Sequence, residues 1–318
     1  MAISAFVLPS FAKINWNLRV LGQRPDGYHE VRTVLQTVSL HDEIELASRV
    51  DDRIVLSCDD PGIETGHANL ITRAGRALQD RFRTSQGATI SLKKRIPIKA
   101  GLGGGSSNAA ITVLGLAHLW GLAAGLDELM AIGATIGTDV PFFFVGGRAL
   151  ATGTGSTVRQ QSSSPPKHLL IIKPKAAVST LEAYSALRSS RLTTENAASI
   201  LSSPRENGGP VDSDLTLLDE QLVNDFEKVI FDIEPEIGRA RDALLQAGAR
   251  GALLAGSGSS VFGIFDSPQA QQRAVRELQA EVGWLSLPCV TLSREEYLVA
   301  LSSLRLLRSF DPGIDTGA

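Results

Sequence analysis

The sequence predicts a mixed protein of helices and strands, α/β or α+β in class and divided into two domains. Three observations carry that expectation. The chain has 318 residues, enough for two ordinary domains each with its own core. Short runs of alternating polar and apolar residues are interleaved with stretches of helical spacing. Between residues 151 and 167 the character changes: Gly153, Gly155, four serines and Pro165-Pro166 precede the apolar run 169–172, which marks a boundary at 164/165.

Taken in order, residues 1–8 are apolar without a basic leader and read as a first strand ended by Pro9, too short for a signal peptide. Alternation at 42–46, 53–57 and 88–92 predicts strands of a half-buried sheet. Residues 69–83 place Leu70, Ile71, Ala74, Ala77, Leu78 and Phe82 at helical spacing, and 109–120 and 126–136 read as two further helices. Beyond the boundary, 202–214 is a loop-rich insertion with little to bury. Helical stretches follow around 215–229 and at 237–247, then the run 252–265 broken by Gly256-Ser257-Gly258, and a frayed end over 310–318.

Composition excludes several classes. With 43% hydrophobic and 20% charged residues the chain is globular rather than disordered. A formal charge of -3 leaves no basic footprint for nucleic acid, so a polyanion must be met by a local site. Cys58 and Cys289 have neither metal-ligand spacing nor a disulfide framework. No apolar run approaches the roughly 20 residues that span a bilayer.

The stretch PIKAGLGGGSSNAA, residues 97–110, carries the chemistry. Glycine lets a ligand approach the main chain, and a helix that starts there offers free N–H groups and the positive end of its dipole. Phosphate binding is the physical expectation. The two familiar glycine fingerprints fail, because no lysine follows the glycines and Ser106 stands where a dinucleotide loop needs glycine or alanine, with only Asp127 as a distant acidic partner.

Three further segments accompany this turn: Ala12-Lys13-Ile14-Asn15 with the Arg24-Pro25-Asp26-Gly27-Tyr28-His29 block, Gly137-Thr138-Asp139-Val140-Pro141-Phe142-Phe143, and Gly256-Ser257-Gly258. Together they resemble the GHMP kinases, and the Tyr28-His29 block narrows the resemblance to the 4-diphosphocytidyl-2-C-methyl-D-erythritol kinase family of the non-mevalonate isoprenoid pathway. The resemblance implies an α+β fold with a ribosomal-protein-like N-terminal domain, residues 1–164. A ferredoxin-like C-terminal domain, 165–318, would follow it, its last strand or helix able to return to the first. A kinase of another small alcohol and a catalytically inactive nucleotide-binding module are the alternatives.

The family implies ATP with Mg²⁺ as cofactors. Pro97, Ile98, Lys99, Ala100, Gly101, Leu102, Gly103, Gly104, Gly105, Ser106 and Ser107 would cradle the triphosphate, with Ser107 able to join the metal shell and no protein metal site. Asp139 is the implied base for the acceptor hydroxyl and Lys13 its partner at the transferring phosphoryl group. Asn15 would meet the methylerythritol, Tyr28 and His29 the cytosine, and Thr180 and Tyr184 the same ligand from the other side, Tyr184 facing Tyr28. Gly256, Ser257 and Gly258 would reach the acceptor's phosphates. The partner is thus a small cytidine-bearing alcohol, with neither nucleic acid nor membrane. Because the first active-site strand starts near residue 10, with no room for a plastid leader, a bacterial cytoplasmic monomer or weak homodimer is expected.

Overall fold

The computed structural model describes residues 5–189 and 221–304; the stretches read as an insertion at 202–214 and a frayed end at 310–318 lie outside them. Two long strands organise the larger sheet, β1 (Ala5–Gln23) and β2 (His29–Arg49), paired antiparallel as a hairpin. One half of β2 pairs with β4 (Gly87–Lys93), which carries β3 (Ile54–Cys58) in parallel; the other half pairs with β5 (Arg148–Gly153), which carries β6 (Thr157–Gln160). The strand β1 runs through Pro9 rather than ending there, because Pro9 pairs with Glu43 of β2 and, among the described residues, the other side of β1 has no strand neighbour at that point. Residues 29–41 show no alternation because both faces of that part of β2 are covered, Val34, Leu35, Gln36 and Thr37 all being buried.

Helices α1 (Leu70–Phe82), α2 (Gly104–Leu119) and α3 (Leu126–Ile136) cover one face of this sheet, followed by the short α4 (Phe142–Val145). Asn69 caps α1, its side chain accepting from the Ile71 N–H. Enclosed by the sheet, α1 and α3, α2 is apolar all round, with residues 109–114 all buried. It begins five residues earlier than the spacing predicts. The glycines are its first turn, not a lead-in, since Gly103 takes a φ of 71° as the cap and helical bonding starts with Ser107 N–H to the Gly103 carbonyl.

The smaller sheet has the order β11-β7-β10-β9, all antiparallel, from β7 (His168–Lys173), β9 (Gly251–Leu254), β10 (Val261–Phe265) and β11 (Leu285–Val290). That is the ferredoxin-like arrangement. Leu170 and Ile172 pack with helices α7 (Pro235–Gln246) and α8 (Pro268–Leu278), while Leu169, Ile171 and Phe262 pack with Ile14, Val34 and Leu150 of the larger sheet. A shared core therefore locks the sheets face to face. The stretch read as a helix from 215 to 229 is different where described: β8 (Val223–Asn224) pairs parallel with β1, and α6 (Glu227–Ile233) starts only after Phe226. The remaining helices are α5 (Thr180–Ser189) and α9 (Arg294–Ala300), the latter placing Tyr297 and Leu298 in the larger sheet's core. Among the described residues no helix is long and apolar enough to cross a membrane.

Candidate active site

Two cavities meet at the glycine turn. The first, about 470 Å³, is lined by residues 97–106 together with Glu64, Asn69, Lys94 and Asn108. The second, about 380 Å³, opens between the sheets and is lined by Lys13, Asn15, Thr33, Asp139, Thr180, Tyr184, Phe226 and Gly256, among others. Gly101, Gly103 and Ser106 border both and so form their seam.

The turn is shaped by close approach. Gly101, at φ 75°, would bring a Cβ to 2.0 Å from the Ala255 carbonyl, and Gly103 would bring one to 2.9 Å from Lys13 Cγ and Phe143 Cζ. Glycine is required at both positions. The N–H groups of residues 104–106 precede the first helical bond, so the start of α2 presents donors and a positive dipole end to the first cavity.

Lys13 comes from β1 and is almost fully buried; its ammonium donates to Asn15 Oδ1 at 2.8 Å and to the Gly101 carbonyl at 3.0 Å. It lies 3.5 Å from Asp139 Oδ2. Asn15, two residues along the same face, donates to Thr33 Oγ1 at 2.8 Å. Asp139 stands in the turn before α4 with its side chain 38% exposed, open to the second cavity. The cluster thus has a carboxylate able to take a proton and a fixed ammonium beside it.

Tyr184 and Phe226 line the opposite wall of the second cavity, meeting edge to face at 4.9 Å; His29, buried and outside both linings, stacks on Tyr184 with ring centroids 4.6 Å apart. Burial, with the Asp139 charge second, pushes the Tyr184 phenol up to about 12, so it stays neutral and able to donate. Thr180 Oγ1 is 3.2 Å from Ser257 Oγ, joining the start of α5 to the glycine loop of the smaller sheet.

The structure sets several of these residues apart from the cavities. Tyr28 sits 60% exposed at the tip of the β1–β2 hairpin and lines neither cavity, and His29 is the ring stacked on Tyr184. The Ser107 side chain points away from the ligand spaces, fully buried and accepting from Ser10 Oγ at 2.8 Å; Ser106 is the serine of this pair on both cavity walls. Gly258 lies behind Gly256 and Ser257, outside the linings, and Asp127 merely starts α3.

Four contributors were not legible in advance. Thr33 and Phe226 line the second cavity. Asn224 donates to the Leu254 and Gly256 carbonyls at 2.9 and 2.7 Å and accepts from the Phe226 N–H, which replaces the helix read there by tertiary bonds. An Asn-Asp pair ahead of an aromatic was the available signal, as a cap or turn. Lys94 lines the first cavity, reaching back from before the glycines rather than following them.

Comparison with known proteins agrees with this geometry. Residues 69–147 match the GHMP kinases N terminal domain and 206–283 the GHMP kinases C terminal family. The chain is 40% identical over 282 residues to the 4-diphosphocytidyl-2-C-methyl-D-erythritol kinase of Syntrophotalea carbinolica, covering 89% of this chain and 96% of that one. With the enzyme of the same name from Bacillus cereus it shares 36% over 268 residues, 84% and 91% of the two chains. A crystal structure of 4-(cytidine 5'-diphospho)-2C-methyl-D-erythritol kinase superposes with a TM-score of 0.71 at 31% identity, covering 91% of this chain and all of that one. Motifs, fold and relatives converge: the chain belongs to the 4-diphosphocytidyl-2-C-methyl-D-erythritol kinase family of the GHMP kinases.

Proposed function

We propose that this protein transfers the γ-phosphoryl group of ATP to the 2-hydroxyl of 4-diphosphocytidyl-2-C-methyl-D-erythritol, giving the 2-phosphate and ADP in the non-mevalonate route to isoprenoid precursors. The observation that carries the reading is the Lys13–Asp139 pair, 3.5 Å apart on the wall of the second cavity, with the Lys13 ammonium bonded to Gly101 of the shared turn. In this reading the chain divides at 164/165, with α9 returning to the first domain, and works in the bacterial cytoplasm.

ATP takes the first cavity, its phosphates meeting the N–H groups at the start of α2 and pointing the γ-phosphoryl across the seam. The acceptor takes the second. Asp139 receives the proton of its 2-hydroxyl as the oxygen forms a bond to phosphorus, and the bond from phosphorus to the ADP oxygen breaks. Lys13, already oriented by Asn15 and Gly101, stabilises the charge that gathers on the transferring group. The rings of His29 and Tyr184 form the cytosine platform.

Among the described residues no group of three or more His, Cys, Asp or Glu is placed to hold a metal ion. In this reading Mg²⁺ arrives on the nucleotide, and Asp139 and the Ser106 hydroxyl are side chains of the second cavity that would join its shell. When bound, the ion neutralises phosphate charge.

Purified protein with ATP, Mg²⁺ and the cytidine-bearing alcohol should release ADP. Asp139→Asn should lower kcat by about 10²- to 10⁴-fold with the KM for ATP little changed. Turnover that survives this change removes Asp139 as the base, and ADP release with mevalonate or homoserine alone removes the cytidine acceptor.

A further inference from the structure

The most heavily bonded carboxylate beside the site belongs to a residue that touches neither cavity. Asp42 on β2 is fully buried, the residue after His41 at a register shift in which Phe11 pairs with His41 but Ala12 with Val38. Such an irregularity re-aims strand side chains. One oxygen of Asp42 accepts from the Arg95 and Ile96 N–H groups at 2.7 and 2.8 Å; the other accepts from Asn108 Nδ2 at 2.9 Å and from the Lys94 ammonium. Both oxygens are saturated, which is what a carboxylate removed from water requires.

These partners surround the first cavity. Residues 94–96 lead directly into Pro97 and the glycine turn, and Asn108 lies in the second turn of α2. Lys94 Nζ lies 3.4 Å from where a Cβ on Gly104 would stand, so a cation sits against the positive end of a helix. That arrangement is unfavourable unless an anion stands behind it. Asp42 is that anion, and it holds Lys94, which lines the cavity, by its ammonium.

We infer that Asp42 is a positioning residue for the nucleotide: it sets the affinity for ATP by fixing Lys94 and the entrance of the glycine turn, without contacting ligand. The inference rests on the reading of the first cavity as the nucleotide site. It concerns neither the base nor the acceptor.

The discriminating variant is Asp42→Asn, which is isosteric and keeps an acceptor for the two backbone N–H groups but turns an amide toward Lys94. The KM for ATP and the calorimetric Kd for ATP should both rise about tenfold, with the KM for the cytidine-bearing acceptor within about twofold of the parent. Lys94→Met should raise the KM for ATP as well, and adding Asp42→Asn to it should change that KM by less than about twofold, because the two residues act as one unit. A purely structural role predicts a lower melting temperature with both KM values unchanged, or an Asp42→Asn effect of equal size with and without Lys94; either result overturns the inference. If Lys94→Met raises the KM for ATP while Asp42→Asn does not, the inference fails and the nucleotide reading stands. If neither variant changes ATP binding, both fail. Should Asp42→Asn not fold, Lys94→Arg decides: it keeps the charge but spoils the fit to Asp42, and an unchanged KM for ATP overturns the inference.

Discussion

The two cavities hold their ligands by opposite means. The first is built round one turn, residues 97–106, whose glycines and unbonded N–H groups face it, with Glu64, Asn69, Lys94 and Asn108 among the residues that close it. The second is mostly side chain, gathered from β1, β2, the turn before α4, the start of α5 and the loop between β9 and β10. A site made of backbone is broken by adding atoms, whereas a site made of side chains is broken by removing them. The difference assigns each cavity its own kind of damaging substitution.

The largest effect is expected at the seam. Gly101→Ala forces a Cβ into the Ala255 carbonyl at a φ of 75°, and neither backbone can yield cheaply. Displacing the turn by about 1 Å should cost about 100-fold in kcat/KM for both substrates. Steady-state kinetics with each substrate varied in turn would show it; a loss confined to the acceptor would mean that the turn is no phosphate cradle. Next comes Tyr184→Ala, which removes the ring stacked on His29. The KM for the acceptor should rise about tenfold or more while that for ATP stays put, and equal rises in both would erase the contrast between the cavities.

Two smaller effects sharpen it. Ser107→Ala removes the hydrogen bond from Ser10 and should cost about 1 kcal/mol of stability in chemical denaturation with little change in the KM for ATP, whereas Ser106→Ala should raise that KM. Reversed results would restore Ser107 to the ligand. The least effect is in alkali. The Tyr184 phenol is raised by burial to about 12 from a free value of about 10, so its contribution to stability is complete below about pH 10 and lost as pH rises toward 12. Tyr184→Phe should make the fall in melting temperature across that window shallower, without moving the pH profile of turnover at neutral pH.

The glycine turn was legible from residue type and spacing, whereas Lys13 and Asp139 stood out only through the family resemblance of the motifs that hold them. The strand over 29–41 was not, since burial on both faces removes the alternation by which strands are recognised. Asn224 was lost inside an apparent helix because its bonds go to carbonyls 30 and 32 residues away, and tertiary bonds override local propensity. Ser106 and Ser107 are equivalent as letters; successive positions on a helix point about 100° apart, and only the packing of Ser10 decides which one turns inward. Tyr28 belongs to the hairpin loop and stands exposed, whereas His29 opens β2 and is buried, a difference that two adjacent letters do not show.

The bare contact between Gly101 and Ala255 has a consequence for how the molecule senses its ligands. No side chain cushions the turn from the smaller sheet, and Ser260 N–H donates to the Ala100 carbonyl at 3.2 Å beside it. The loop that borders the acceptor is therefore also the outer wall of the nucleotide cradle. Under the proposed assignment of the cavities, a shift of that loop would pass straight to the turn that is to hold phosphate, because backbone meets backbone there.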